Sequence, residues 1–264
     1  MSAMEPDTLD LSIVIPVFNE EALLHPAIDG LLEGLRDLGR PFEIIVAENG
    51  STDRTVAEAE QVVRQHPEVR FFSHGQPNYG AALRRGILDA RGRFVVCDEI
   101  DLCDVDFYRR ALEVLDADQA DLVIGSKVMA GADDKRPLFR HAATLVVSSM
   151  LRVLVGFRGT DTHGLKAFRR EPLLPVVASC AVDRNLFASE LVIRAGRAGC
   201  SIREIPLSVR EKRPPSINLF RRVPRALLDL GQLIWAIRLQ DKLPSRTGPR
   251  ARREQCRGGE GDKP

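Results

Sequence analysis

With 264 residues, 44% of them hydrophobic and 28% charged, the chain can bury one large core without disulfide or metal staples, and its composition excludes fibrous and disordered classes. A formal net charge of +1 removes any global argument for nucleic acid, and no nucleic-acid partner is expected. The longest apolar stretch, residues 142–157, is short and interrupted by Arg152, the N-terminus lacks a signal peptide's apolar core, and Cys97, Cys103, Cys180, Cys200 and Cys256 form no C-x-x-C pair; a reducing, cytoplasmic compartment with at most peripheral membrane contact is expected.

Residues 1–10 read as a flexible N-terminus. The runs Leu11 to Val17, Phe42 to Ala47, Val69 to Ser73, Phe94 to Cys97 and Leu122 to Gly125 are rich in Val, Ile and Phe, which predicts short strands buried on both faces. Helical spacing separates them: Ile28, Leu31, Leu32, Leu35 and Leu38, then residues 53–65, 80–90 and 106–115. This alternation predicts an α/β fold with a mostly parallel, doubly wound sheet and right-handed crossovers. Ligands bind such sheets beyond the carboxyl ends of the strands. Those ends are polar here, with Asn19, Glu20 and Glu21 after the first strand, Glu48, Asn49, Gly50, Ser51 and Asp53 after the second, and Asp98, Glu99 and Asp101 after the fourth.

The later half is less regular. It offers a helical stretch near residues 137–155, a turn-rich segment 156–164 and a strand over 201–209, after which Pro214 and Pro215 break the chain. Over residues 216–243, Leu219, Val223, Leu227, Leu230, Leu233, Ile234 and Ile237 recur at helical spacing opposite basic residues including Arg221, Arg222 and Arg225, which predicts an amphipathic helix facing a membrane. Residues 244–264 hold Gly, Pro and Arg in excess and read as a disordered basic tail.

Neither G-x-G-x-x-G after the first strand nor G-x-x-x-x-G-K-[ST] is present, so the common phosphate loops are excluded. A nucleotide could instead be held by carboxylates and a metal ion. In Asp98-Glu99-Ile100-Asp101, alternation along an extended chain puts Glu99 and Asp101 on one side, close enough to share a cation, with Asp98 opposite. Asp98 remains an alternative to Glu99 as the first ligand. Acid-x-acid also occurs by chance in solvated loops, so the spacing needs its context.

That context is Ile13-Val14-Ile15-Pro16-Val17-Phe18-Asn19-Glu20 and Ile44-Ile45-Val46-Ala47-Glu48-Asn49-Gly50-Ser51-Thr52-Asp53. Together they resemble the family-2 glycosyltransferases of GT-A fold, whose signatures read roughly V-I-P-x-Y-N-E and V-D-D-G-S-x-D-x-T. The resemblance spans about residues 11–239. Gly159-Thr160-Asp161-Thr162-His163-Gly164-Leu165-Lys166-Ala167-Phe168-Arg169-Arg170 is similar to the D-x-x-S-G-F-R-x-F-R-R element of the dolichol-phosphate and polyprenol-phosphate mannosyltransferase-like subgroup.

The resemblance implies a GT-A domain over residues 11–215. It implies a nucleotide pocket from Pro16, Phe18, Asn19, Glu20, Glu48, Asn49 and Asp98, and Mg2+ or Mn2+ on Glu99 and Asp101. Lys127 and Arg140 fall where the family sets cations near the donor or acceptor phosphate, though either alone reads equally as a surface charge. His163 would touch acceptor or product, and Arg213 the acceptor phosphate; Asp101, Lys127, Arg140 and His163 form the expected catalytic set. Phe18 stands for Tyr, Glu48-Asn49 for Asp-Asp, Glu99 for the first Asp of D-x-D, and His163 for Ser.

The implied reaction moves a hexose, mannose or glucose, from a GDP or UDP donor to a lipid phosphate on the cytoplasmic face, with inversion and with peripheral binding to an anionic membrane surface. Two rivals stay open: a hydroxyl acceptor, for which Asp161 or Asp104 would serve as base, and a nucleotide-sugar-binding protein weakened in catalysis.

Overall fold

The computed structural model describes residues 9–127, 129, 149–157, 159–160, 162, 164–184, 186–207 and 231–238. Its strands are β1 (Leu11–Val17), β2 (Phe42–Glu48), β3 (Val69–Ser73), β4 (Phe94–Cys97), β5 (Leu122–Ser126), β6 (Lys166–Arg169) and β7 (Ile202–Pro206). Six helices alternate with them: α1 (Leu24–Arg36), α2 (Thr55–Gln65), α3 (Tyr79–Asp89), α4 (Val105–Asp116), α5 (Arg170–Ser179) and α6 (Phe187–Arg197).

The seven strands form one sheet in the order β3-β2-β1-β4-β6-β5-β7. Alternate residues feed opposite faces. Val14, Ile45, Val95 and Ile124 pack with α3, α5 and α6, whereas Ile13, Ile44, Val96 and Val123 pack with α1, α2 and α4. Both faces are covered, and every residue of β1 is buried accordingly.

β6 was hidden in the sequence. It runs antiparallel between β4 and β5, with Cys97 opposite Lys166 on one side and Ile124 opposite Lys166 on the other. A four-residue strand, Lys-Ala-Phe-Arg, gives almost no periodic signal, and its identity depends on the two neighbours that supply its hydrogen bonds. Its reversed direction has a functional result: β6 begins where β4 and β5 end, so residues 164–166 enter at the carboxyl edge of the sheet.

Residues 231–238 correct one expectation. They are helical, but Leu233 and Ile237 are fully buried in the same core as Leu151 and Val155. Arg194 and Arg197 donate to the Ala236 and Ile237 carbonyls at 3.4 and 3.2 Å. This part of the apolar stripe seals the domain rather than facing lipid, because the core offers a dry partner for it. Trp235 on the other side is 64% exposed. Residues 216–230 and 239–264 lie outside the described residues, as do Asp161, His163, Arg140 and Arg213.

Candidate active site

The ends of β1 and β2 are tied together by side chains. Asn19, at φ +56°, donates its amide to Ser51 Oγ at 2.9 Å and accepts from the Thr52 amide at 2.8 Å. The Glu20 amide donates to Thr55 Oγ1 at 2.7 Å, and the Arg54 amide to the Glu21 carboxylate at 2.9 Å. Asp53 accepts from the Thr55 amide at 2.9 Å. The N-E and S-T-D-x-T signatures thus form one lock between two strand ends. Gly50, at φ +71°, closes it against residues 76–77, where a Cβ would stand 2.5 Å from the Gln76 carbonyl carbon.

Several expected nucleotide contacts belong to this lock. Glu48 is fully buried, and its two carboxylate oxygens accept from the Ser51 amide and the Ser73 hydroxyl. The Asn49 side-chain oxygen accepts from the Asn78 amide, and Pro16 is buried inside β1. At no measurable exposure, Glu48 presents no open face to a ligand. Phe18 differs, standing 42% exposed just past β1.

β4 ends at Cys97, so the acids that follow stand on a turn rather than a strand. Asp98 points inward at 2% exposure; its carboxylate accepts from the Glu99 and Asp104 amides at 2.5 and 3.2 Å and from the Tyr108 hydroxyl. Burial raises its carboxyl to about 7, with the Glu99 charge adding to the rise and the hydrogen bonds opposing it. Asp98 is therefore an interior group, whereas Glu99 beside it is half-buried. Asp104 caps α4 by accepting from the Phe107 amide at 3.0 Å, a structural use for a residue that was one candidate base.

Glu99 and Asp101 are half-buried, and among the described residues neither carboxylate has a hydrogen bond or ion pair. Their charge is felt nearby: burial first, and then Glu99, Cys97, Asp98 and Asp101, push the Tyr79 phenol far above its ordinary value. Tyr79 opens α3, whose cap Asn78 accepts from the Ala81 amide at 3.2 Å. A hollow of about 190 Å3 beside the acids is lined by Tyr79, Leu83, Glu99, Gly164, Lys166 and Ala188 among others. A larger hollow of about 760 Å3, lined by Ile124, Phe157, Val192, Arg197 and Glu204 among others, shares no lining residue with it.

The segment entering β6 is pinned at intervals. Thr160 donates its amide to Glu204 at 2.6 Å and its hydroxyl to the same carboxylate at 2.8 Å, while its Oγ1 also lies 2.6 Å from Ser126 Oγ. Thr162 Oγ1 lies 2.9 Å from Ser189 Oγ in the interior. Gly164 passes so close to β5 that a Cβ would fall 1.6 Å from the Gly125 carbonyl oxygen. Lys166, 3% exposed, donates to the Gly164 carbonyl at 2.8 Å. Lys127 follows β5 directly and is half-buried. Sequence reading missed Tyr79, Ala188 and the site-facing role of Lys166. The cue for Lys166 was available, because it lies inside the G-L-K-A-F-R-R element.

Among the described residues no three His, Cys, Asp or Glu side chains group as a metal cage. Two unpaired carboxylates nevertheless fit Mg2+ or Mn2+, since Mg2+ is commonly held by one or two carboxylates together with substrate phosphates.

Comparison with known proteins supplies the remaining context. In Haloferax volcanii, the glycosyltransferase AglD is 25% identical over 247 residues, 90% of this chain and 39% of its own length. A dolichyl-phosphate beta-glucosyltransferase of Trichomonas vaginalis is 28% identical over 225 residues, 78% of this chain and 68% of its own. An undecaprenyl-phosphate 4-deoxy-4-formamido-L-arabinose transferase of Pectobacterium carotovorum is 34% identical over 173 residues, 63% and 51% of the two chains. This chain thus spans between 39% and 68% of the length of these relatives. Among solved structures, glucosyl-3-phosphoglycerate synthase from Mycobacterium tuberculosis, in complex with Mn2+ and UDP-glucose, superposes with a TM-score of 0.63 at 22% identity, covering 86% of this chain and 79% of that one. That likeness establishes the GT-A type of fold, with one antiparallel strand set into a parallel sheet. The family model for glycosyl transferase family 2 matches residues 12–174, more than half of the sequence, and with the strand-end lock and acidic turn in place, the chain belongs to that family.

Proposed function

We propose that this chain transfers a hexose from a GDP- or UDP-linked donor to a polyprenol or dolichol phosphate, with inversion. One observation carries the reading: among the described residues Glu99 and Asp101 have no side-chain partner at the carboxyl edge of the sheet, and Glu99 lines a hollow of about 190 Å3. Partly exposed and without a side-chain partner among the described residues, both carboxylates are open to a ligand arriving from solvent. The lipid-phosphate acceptor is supported by the relatives whose names specify dolichyl-phosphate and undecaprenyl-phosphate transferases.

In this reading Glu99 and Asp101 hold Mg2+ or Mn2+ against the donor diphosphate. The bound ion would supply charge neutralisation for the departing nucleotide. Phe18 offers an exposed ring to the base, while Asn19, Glu20, Glu48 and Asn49 keep the two strand-end loops in register beneath it. Tyr79, Leu83 and Ala188 wall the hollow and exclude water from the sugar. Lys166 holds the entry of β6 against that hollow. Lys127, Arg140, His163 and Arg213 are proposed to orient the acceptor phosphate and the donor diphosphate. A phosphate monoester has a second pKa near ~6 and is largely anionic at neutral pH, so the chain's task is to orient the nucleophile for in-line attack rather than to deprotonate it.

Peripheral membrane docking completes the proposal. None of the described helices is long and apolar enough to cross a membrane. Val153 and Trp235 are exposed at 83% and 64% on helical stretches 149–155 and 231–238, which meet where Arg238 donates to the Leu154 carbonyl at 3.1 Å. An exposed Trp and Val beside Arg152 and Arg238 suits the headgroup level of a bilayer. The test is incubation with polyprenyl phosphate, Mn2+ and each of GDP-mannose, GDP-glucose and UDP-glucose, followed by mass spectrometry of the organic phase. Hexosyl-phosphoryl lipid is the expected product. Transfer only to a water-soluble alcohol would overturn the acceptor assignment.

A further inference from the structure

We propose that Asp98 and Tyr108 form a positioning device that sets the geometry of the metal-binding turn without touching the metal. The inference rests on the reading of Glu99 and Asp101 as ligands. Asp98 is anchored to the sheet through its amide, which donates to the Val14 carbonyl at 3.1 Å. One buried carboxylate then joins both ends of the acidic segment, accepting from the Glu99 amide at 2.5 Å through one oxygen and from the Asp104 amide at 3.2 Å through the other. The second oxygen also accepts from the hydroxyl of Tyr108, a fully buried side chain of α4.

Between these ties the chain reverses tightly. The amides of Leu102 and Cys103 both donate to the Glu99 carbonyl at 2.9 and 3.3 Å, and Cys103 takes φ +46°. Like charges on Glu99 and Asp101 repel one another, and among the described residues no side chain holds either carboxylate. Their separation must therefore come from the backbone that carries them. That backbone is fixed by Asp98 at its two ends, and Asp98 by Tyr108. The hydroxyl acts as the pin: α4 is fastened independently by packing of Phe107, Leu112 and Leu115, so the helix can remain in place when the pin is removed and the turn alone loosens.

Loss of an outer-shell partner commonly costs 10- to 100-fold in metal affinity. Tyr108→Phe should weaken Mn2+ binding, measured by electron paramagnetic resonance in the presence of GDP or UDP, by about tenfold or more. Leu173→Ala, in the core cluster on the other face of the sheet, should lower the melting temperature yet leave Mn2+ affinity within about twofold of wild type, an expectation for sites that share no partners. Asp98→Asn should weaken Mn2+ binding as well, and the double variant with Tyr108→Phe should fall well short of the product of the two single losses. If one variant folds poorly, the other single variant still tests the tie, because Asp98→Asn and Tyr108→Phe disturb it from opposite ends. Glu99→Gln separates the two readings. If it binds Mn2+ as wild type does, the metal assignment itself fails; if it loses Mn2+ while Tyr108→Phe and Asp98→Asn keep wild-type affinity, the turn is held by other means and only the positioning device is overturned.

Discussion

The carboxyl ends of β2 and β4 both carry a glutamate, and the two are wired in opposite ways. Glu48 is fully buried, with one oxygen on the Ser51 amide and the other on the Ser73 hydroxyl. Among the described residues Glu99 has neither kind of tie, and Asp101 shares that condition two residues on. A buried carboxylate with all its bonds made is part of the scaffold, because removing it strands its donors. A half-buried carboxylate with none is free, in the proposed function, to take up a cation. The comparison separates residues that build the site from residues that act in it, although the same family signatures contain both.

The sharpest way to break this comparison is Asp101→Asn. Transfer should fall by about 100-fold or more, as expected when a group stabilising transition-state charge is lost, with the melting temperature unchanged in calorimetry. Residual activity within a few-fold of wild type would return Asp101 to the status of a solvated loop acid. Glu48→Ala tests the opposite side. Stranding two buried donors costs about 1–3 kcal/mol, which lowers the melting temperature by roughly 2–4 °C per kcal/mol in a domain of this size. Glu99→Ala should stay within about 0.5 kcal/mol of wild type in the same denaturation experiment. Equal losses in both variants would dissolve the distinction.

A third carboxylate sharpens the argument at the other edge of the sheet. Burial alone would raise Glu43, but Arg70 at 2.7 Å, Ser12 Oγ at 2.7 Å and the Arg91 amide at 2.8 Å outweigh it and hold the carboxyl below its ordinary value. A lowered folded pKa contributes stability that is present above the unfolded value and is lost as pH falls through the folded one. Stability of the wild type should therefore decline on acidification below the ordinary glutamate range more steeply than that of Glu43→Gln, in urea titrations at several pH values. Parallel pH profiles would count against the network.

The smallest expected effect concerns the surface. Trp235→Ser with Val153→Ser should weaken binding to anionic vesicles by a few-fold in sedimentation, about 0.5–1 kcal/mol, while leaving donor affinity intact. Vesicle binding equal to wild type would move the docking face elsewhere.

The sequence alone determined the five parallel-type strands β1 to β5, because runs such as Leu11–Val17 and Phe94–Cys97 are apolar on both faces and have only one stable place, the interior of a covered sheet. It also determined the polar strand ends, but the extended-chain alternation that paired Glu99 with Asp101 does not hold on the turn that follows Cys97. Tertiary structure decided the rest. The antiparallel β6 exists only through its partners β4 and β5, and with it Lys166 arrives beside Glu99. Asn19 meets Ser51 across 32 residues, and Asp98 is distinguished from Glu99 by Tyr108, ten residues away on a helix. Leu233 and Ile237 have the periodicity of a lipid-facing stripe, yet the core accepts them and Trp235 is left outside. Periodicity states that a face is apolar; what covers it depends on the surfaces the rest of the chain leaves open, and those exist only once the sheet and its helices have closed.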